Sequence, residues 1–177
     1  MLRKSPLALL LLVCATVADA RSPSRQKFSK EITIPAPATK VWAAISDYCA
    51  IGDWHPAIYQ CSGIGGNEPG STRTLTVGAE GGPEIEEGLQ KFDAEKMTYK
   101  YKITKTDNTV LPVISYSSFL AVAGNDDGSS TVTWRSEFYR AYPNNNPPSE
   151  LNDDASVTAV TNIYESGLQG IKKFVEE

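Results

Sequence analysis

Histidine and cysteine are scarce in this sequence, which has one histidine, His55, and three cysteines in 177 residues. A Ser/His/Asp arrangement, a glycine-rich phosphate loop and a C-x-x-C redox motif are all missing from it. The single histidine therefore excludes several classes of catalysis. So few cysteines with one histidine also lack the spacing of a metal site. The sequence predicts no metal and no cofactor.

The only long apolar run lies at the N-terminus. Two basic residues precede an apolar stretch over 7–17, and the Ala-Asp-Ala sequence at 18–20 matches a signal peptidase site. The stretch is short for a transmembrane helix, although an N-terminal membrane anchor is the alternative interpretation. We predict a signal peptide over 1–20 and one exported domain, periplasmic or secreted, over 21–177.

Positive charge is in deficit, because 17 Lys and Arg residues face 21 Asp and Glu residues, for a net charge of −4. Signal cleavage would remove Arg3, Lys4 and Asp19, which leaves 15 basic and 20 acidic residues and a net charge of −5. A protein of this charge is a poor candidate for binding nucleic acid or anionic lipid. We expect no nucleic-acid partner and no stable membrane insertion after cleavage. A cationic protein partner would suit the charge better.

Cys49 and Cys61 are the two cysteines that signal cleavage would leave. An even pair in an oxidising compartment most often forms a disulfide, and closing this loop would stabilise the protein by up to roughly 3 kcal/mol. Metal binding by the pair is the weaker alternative. We predict a disulfide between Cys49 and Cys61.

Hydrophobic periodicity divides the remaining chain into strands and helices. Three- and four-residue spacing predicts a short helix over 38–48, a helical turn or loop over 50–57, and a long C-terminal helix capped by Asp153 or Asp154. Alternation predicts strands at 28–34, from 58 onward, and at 71–77, 84–92, 97–104, 112–123 and 129–140. A curved antiparallel sheet of six to seven strands, folded against one amphipathic helix, is the α+β arrangement that buries both apolar faces.

Three polar residues fall on strand faces that are otherwise apolar. Counting in steps of two places Arg73, Glu87 and Tyr116 among leucines, isoleucines and valines. A lone buried charge costs several kcal/mol, so we expect Arg73 and Glu87 to meet, with Tyr116 donating to the carboxylate. One interpretation is a buried ion pair that fixes strand register, and the other is a polar cluster at the base of a ligand cavity. We favour the cavity, because apolar residues would serve packing as well.

The same counting gives the residues expected to bind a ligand in such a cavity. His55 lies in an Asp-Trp-His-Pro stretch near the expected cavity mouth. It would act there as a general base or, in the interpretation we favour, within a loop that caps the pocket by packing. The predicted ligand-binding residues are Trp54, His55, Leu75, Tyr99, Tyr101, Ile114, Trp134, Phe138 and Tyr164.

Six stretches of the sequence resemble a known family. They are KVWAAISDYCAIGDWHP, GSTRTLTV, EEGLQKFD, YKYKI, LPVISYSSFLAV and STVTWRSEF, spread over 27–175. In these stretches the chain resembles the polyketide cyclase/dehydrase branch of the START-like, Bet v 1-like helix-grip superfamily. The resemblance implies a helix-grip fold with two short helices after the first strand, and an internal cavity for a small apolar ligand.

Within that branch the chain is similar to exported accessory proteins of methanol oxidation in methylotrophs. Those proteins are implicated in the interaction of methanol dehydrogenase with its cytochrome c acceptor. The resemblance therefore implies methanol dehydrogenase and cytochrome c as partners of a binding protein without catalytic activity. This is the function that we favour from the sequence.

A plant enzyme of the superfamily, lachrymatory factor synthase, supplies a different expectation. Its arginine, glutamate and tyrosine match Arg73, Glu87 and Tyr116 here. The resemblance then implies a cofactor-free cyclase, dehydratase or isomerase, in which Glu87 moves a proton while Arg73 and Tyr116 hold an oxyanion. A carrier of lipids or other hydrophobic molecules is the third alternative.

Overall fold

A computed structural model of the protein describes residues 22–177; the predicted signal peptide lies outside the described residues. None of the helices within 22–177 has both the length and the apolar character needed to cross a membrane. The elements are β1 (Gln26–Ile34), α1 (Ala38–Ile45), α2 (Ile51–Trp54), β2 (Ile58–Ile64), β3 (Thr72–Val77), β4 (Glu84–Asp93), β5 (Thr98–Lys105), β6 (Val113–Gly124), β7 (Ser130–Arg140), a 3₁₀ turn (Ser149–Leu151) and α3 (Asp153–Glu176).

The strands form one seven-stranded antiparallel sheet in the order β1-β7-β6-β5-β4-β3-β2. From β2 to β7 each strand pairs with the next one along the chain. β1 is the exception, because it pairs with β7, with Gln26 opposite Phe138 and Ile34 opposite Ser130. The predicted α+β class, the two short helices after the first strand and the long C-terminal helix are confirmed.

The core lies between one face of the sheet and α3. β7 alternates strictly, so that Val132, Trp134 and Phe138 are buried on the inner face. Trp134 stacks on Tyr164 of α3 with ring centroids 4.3 Å apart. The packing of α3 on the sheet covers the apolar face of each, so the sheet and the helix stabilise each other.

The two ends of α3 differ from the sequence prediction. Asn152 is the cap, since its side chain accepts a hydrogen bond of 2.7 Å from the backbone N–H of Ala155. Asp153 is instead the first helical residue, and its carboxylate pairs with Arg140 at 3.2 Å. Near the C-terminus Phe174 is 40% exposed and Val175 is buried. The three- and four-residue spacing of the apolar residues in this helix predicts Phe174 on the buried face, but a helix of 3.6 residues per turn drifts from a fixed spacing.

Two glycines in α3, Gly167 and Gly170, form a notch for the loop that follows α2. A Cβ atom at Gly167 would lie 2.6 Å from the Trp134 ring and 2.7 Å from the His55 ring. At Gly170 it would lie 2.0 Å from the carbonyl oxygen of Trp54. Real Cβ contacts are never so close, so this glycine notch is what lets the loop lie directly on the helix.

The predicted disulfide between Cys49 and Cys61 is confirmed, with Cα atoms 5.6 Å apart. This distance is within the usual range for a disulfide. The bridge joins the turn between α1 and α2 to β2, which is an edge strand of the sheet. It therefore fixes the short helices to the end of the sheet that carries the candidate site.

Candidate functional site: a buried ion pair beside an internal cavity

Arg73 and Glu87 form a buried ion pair on the inner face of the sheet. They are directly opposite each other in the antiparallel pairing of β3 and β4. Nε and Nη2 of Arg73 lie 2.7 Å and 2.6 Å from the same oxygen, Oε2 of Glu87. The side chains are only 1% and 5% exposed. The two charges therefore meet as strand alternation predicts.

Arg73 is also held by the turn that carries the disulfide. Its Nη1 donates to the backbone carbonyl of Tyr48. Its Cζ atom lies 4.0 Å from the centre of the Tyr48 ring and 5.2 Å from that of Tyr101. The guanidinium thus lies between two aromatic faces, which favour a cation. All three of its nitrogens contact protein oxygens.

Glu87 lines a cavity, and only one of its two carboxylate oxygens is held by Arg73. Oε1 has no hydrogen-bond partner among residues 22–177, whereas Oε2 is taken by Arg73. Burial raises the pKa of Glu87 above its ordinary value, and the Arg73 guanidinium partly offsets this effect. The site therefore combines a carboxylate of raised pKa with an unused acceptor.

The cavity has a volume of about 80 Å³ and lies between β3–β5, the loop after β5, and α3. Since one water takes about 30 Å³ of liquid, it has room for two or three waters. Glu87 is the one residue of its lining that carries a formal charge, within the part of the chain that the structure describes. The lining consists of Ile51, His55, Ala57, Ile58, Leu75, Val77, Ile85, Glu87, Tyr101, Ile103, Val110, Leu111, Tyr116, Trp134 and Ile163.

An apolar surface groove adjoins this cavity. It has a volume of about 860 Å³ and runs between the loop after β5 and the first turns of α3. Val110 and Ile163 line both the groove and the cavity. We call it the outer groove. These two side chains are therefore what separates the cavity from the surface on this side.

Tyr116 belongs to a hydrogen-bonded chain of side chains rather than to the ion pair. Its hydroxyl lies 2.7 Å from that of Tyr164, which lies 2.9 Å from the hydroxyl of Ser118. Ser118 donates to the backbone carbonyl of Arg135 at 3.1 Å. Tyr164 must then donate to Ser118, and Tyr116 to Tyr164. The expected donation from Tyr116 to Glu87 is therefore wrong, because the proton of Tyr116 is already in use.

His55 is buried and neutral. Its Nδ1 accepts from the backbone N–H of Ala57 at 3.2 Å, so Nε2 carries the proton and donates to the carbonyl of Ile163 at 3.1 Å. Burial lowers the pKa of His55 to about 4, although the bond to Ile163 opposes this. Both ring nitrogens are satisfied by backbone atoms. This geometry agrees with the capping loop that we favoured over a general base.

The nine residues expected to bind a ligand separate into three groups. His55, Leu75, Tyr101 and Trp134 line the cavity. Four others are buried but belong to the surrounding core, namely Trp54, Tyr99, Phe138 and Tyr164.

Ile114 is the ninth, and its predicted inward orientation is wrong, because the side chain is 42% exposed. The pairing of β6 with β7 shifts between Ile114 and Ser117, and Ser115 has a φ of 53°. This bulge inserts a residue and reverses the alternation before Tyr116, so that Val113 is the buried residue there.

Several site residues were missed by the sequence analysis. Tyr48 covers the Arg73 guanidinium, and Ser118 accepts the Trp134 indole N–H at 2.9 Å. Ser118 follows from Tyr116 by counting two positions, so alternation would have found it. Val110 and Leu111 line the cavity from a loop, which has no periodicity to read.

Known proteins share this architecture. XoxI from Bacillus cereus superposes with a TM-score of 0.70 at 24% identity, covering 85% of this chain and 96% of that one. A putative uncharacterized protein from Bacillus thuringiensis gives a TM-score of 0.70 at 24% identity, covering 86% and 100%. Ara h 8.0201 gives 0.66 at 19% identity, covering 86% and 99%. At these identities the likeness shows the fold. A search of the curated proteins found no match for the sequence.

The sheet, the long helix and the cavity between them define a helix-grip protein of the Bet v 1-like class. The profile of one family within this class matches residues 25–176. The chain belongs to that family, which is described as polyketide cyclase / dehydrase and lipid transport.

We predict that His55 makes stability fall on acidification. Its pKa is about 4 when folded and about 6.5 when unfolded, so below pH 6.5 the unfolded chain binds the proton more readily. The free energy of unfolding should lose about 1.4 kcal/mol per pH unit from this group between these two values. Urea denaturation across this range measures the slope.

The variant His55→Gln is the control, because it keeps an amide N–H to donate to Ile163 but does not titrate. It should be less stable near neutral pH and show a flatter slope. Glu87 has a raised pKa, so through this group acidification increases the free energy of unfolding. This contribution is the same in both proteins and does not affect the comparison. Equal slopes in the two proteins would contradict the assignment.

We predict that removing one partner of the ion pair costs more than removing both. Arg73→Leu leaves a buried carboxylate unpaired and should cost about 3–5 kcal/mol in the free energy of unfolding. Adding Glu87→Leu should recover most of this loss, because no buried charge then remains. The exposed pair of Lys105 and Glu86, at 3.0 Å, is the matched control, and Lys105→Leu should change stability little. A double variant no more stable than Arg73→Leu would refute this account.

Proposed function

We propose that this protein binds a small, mainly apolar molecule that carries one hydroxyl or similar hydrogen-bond donor. The observation that carries the proposal is that Glu87, whose Oε1 has no hydrogen-bond partner within residues 22–177, lines an otherwise apolar cavity. A buried acceptor without a partner is costly, and a donor on the ligand would remove that cost. An apolar pocket with a few convergent polar groups is the usual form of a small-molecule site.

The ligand would extend from the cavity into the outer groove. A cavity of about 80 Å³ is small beside the usual 300–1,000 Å³ of ligand sites. Displacing Val110 and Ile163 would join it to the adjoining groove of about 860 Å³. The polar end of the ligand would then meet Glu87 and its apolar end would lie along α3. The family description, which includes lipid transport, supports a hydrophobic ligand.

A catalytic role for Glu87 is the second candidate, and its raised pKa is the observation in favour. A cyclase, dehydratase or isomerase would need donors for an oxyanion. Most of the donors expected for that role are engaged, since Tyr116 donates to Tyr164, and Nε and Nη1 of Arg73 donate to Glu87 and Tyr48. We therefore favour binding without catalysis.

We further propose that the protein is exported and assists the interaction of methanol dehydrogenase with its cytochrome c acceptor. This part of the proposal is based on the sequence resemblance, the predicted signal peptide and the acidic net charge. The Cys49–Cys61 disulfide is compatible with an oxidising compartment outside the cytoplasm.

We predict that 1-naphthol binds more tightly than naphthalene, from which it differs by one hydroxyl. A hydrogen bond to a charged group contributes about 1.5–3 kcal/mol, which corresponds to roughly tenfold or more in Kd. Glu87→Gln should reduce this preference, because its bond is no longer charge-assisted. Fluorescence titration measures all four dissociation constants.

The variant Val110→Trp tests whether the ligand extends from the cavity into the outer groove. It should weaken naphthol and naphthalene equally, because it fills space without touching the acceptor. Equal affinity of the unmodified protein for the two probes would refute the role of Glu87. Unchanged binding in Val110→Trp would refute the route but leave the role of Glu87 intact.

We predict that the mature protein can be isolated from the periplasm, and that its intact mass will show a first residue of Arg21. We expect this mature protein to accelerate electron transfer from methanol dehydrogenase to cytochrome c. The effect should weaken as ionic strength rises, because steering between exposed charges is screened by salt. Stopped-flow spectroscopy of cytochrome c reduction measures it. No acceleration at any ionic strength would exclude this partner assignment.

A further inference from the structure

A second groove lies mainly on the outer face of the sheet, since most of its lining residues alternate away from the core, and Phe28, Ser118 and Ser136 of the inner-facing positions complete it. It has a volume of about 570 Å³ and crosses β5, β6, β7 and β1. Residues that lie opposite each other on neighbouring strands form a row across the groove, which runs from Lys100 on β5 through Phe119 on β6 and Arg135 on β7 to Ser29 on β1. The next row runs from Lys102 to Lys27. We call it the basic groove; its lining is Lys27, Phe28, Ser29, Lys100, Ser117, Ser118, Phe119, Arg135, Ser136 and Glu137.

The charge of the basic groove is opposite to that of the whole chain. Three cations line it, against the single acid Glu137. That acid is already paired with Arg25 and, at 3.6 Å, with Lys27. Lys100 and Arg135 have no carboxylate partner within residues 22–177. A local positive surface in a protein of net charge −4 is not explained by composition.

An aromatic ring supports one of these cations. Cζ of Arg135 lies 4.3 Å from the centre of the Phe119 ring. The ring fixes the plane of the guanidinium while its N–H groups are left for another molecule, which is the arrangement that favours two-pronged binding of a carboxylate. Phe119 itself is only partly buried, so it adds an apolar surface between Lys100 and Arg135.

The shape and the net charge together indicate the kind of partner. Nucleic acid and anionic membranes are extended polyanions, and the remaining acidic surface would repel them. A short acidic segment contacts only the groove and avoids that repulsion. Lys100 and Arg135 lie two strands apart, or about 10 Å, and an extended peptide presents every second side chain on one face, about 7 Å apart. Acidic residues four positions apart, or about 13 Å, are within reach of the long Lys and Arg side chains.

We propose that the basic groove binds a short, extended acidic segment of a partner protein. Two carboxylates four positions apart would pair with Lys100 and Arg135, and an apolar residue midway between them, on the same face of the extended segment, would lie against Phe119. This surface is separate from the cavity beside Glu87. The two proposals can therefore fail independently.

A labelled synthetic peptide with two glutamates four positions apart and a phenylalanine midway between them tests this inference by fluorescence anisotropy at low ionic strength. Arg135→Glu and Lys100→Glu should each weaken binding about tenfold or more, because attraction becomes repulsion. Phe119→Ala should weaken it less. Glu87→Gln should leave peptide binding unchanged.

Lys96→Glu is the matched control, since it makes the same change in net charge in the turn after β4, where Lys96 pairs with Asp93 at 3.5 Å. It should change the affinity less than about twofold. Circular dichroism confirms that each variant is folded. Equal weakening by Lys96→Glu and Arg135→Glu would refute the proposal, as would equal affinity for a peptide with glutamines in place of the glutamates. Preferential binding of phosphatidylglycerol vesicles through the same residues would refute it as well.

Discussion

The ion pair between Arg73 and Glu87 is the constraint on which the rest of the site depends. Taking two charges out of water costs several kcal/mol for each, and only close contact with further partners repays it. The structure supplies these partners on every side of the arginine, from Glu87 on the next strand to the Tyr48 carbonyl and ring. The Cys49–Cys61 bridge holds the same turn from the residue after Tyr48. The pair, the turn and the bridge therefore form one connected unit.

A second polar unit is built around Ser118, and it differs from the first in having no charge. The hydroxyls of Tyr116, Tyr164 and Ser118 pass their protons in one direction, toward a backbone carbonyl of β7. This order leaves Tyr116 able to accept but not to donate at the cavity wall. Together with Oε1 of Glu87, it gives the residues of the wall two acceptors without a donor. The kind of ligand that the cavity can bind therefore depends on the direction of these hydrogen bonds.

The sequence predicted the fold and the ion pair well because both follow from hydrophobic periodicity, with a spacing of three and four residues for the helices and of two for the strands. Arg73 and Glu87 lie where the pairing of β3 with β4 is regular, and counting by two gives the correct face for both. Ile114 was predicted on the wrong face because the bulge at Ser115 is a feature of backbone conformation that no spacing reveals. The size of the cavity and the direction of the tyrosine hydrogen bonds depend on packing in three dimensions. Neither can be read from a single strand.

The pairing of β1 with β7 has a consequence for how the chain folds. Lys27 lies opposite Glu137, and the paired positions of this edge are 96 (Ile34 and Ser130) to 112 (Gln26 and Phe138) residues apart in sequence. Such high contact order slows folding, because the entropy cost of closing a long loop comes before the stabilisation from the contacts that it brings together. Nor can the first strand find its partner until nearly the whole chain has emerged, whether from a ribosome or from a translocation channel. Until then Ile34, which is fully buried in the folded protein, remains exposed to other chains. The interval between the emergence of β1 and that of β7 is therefore when this protein is most vulnerable to aggregation.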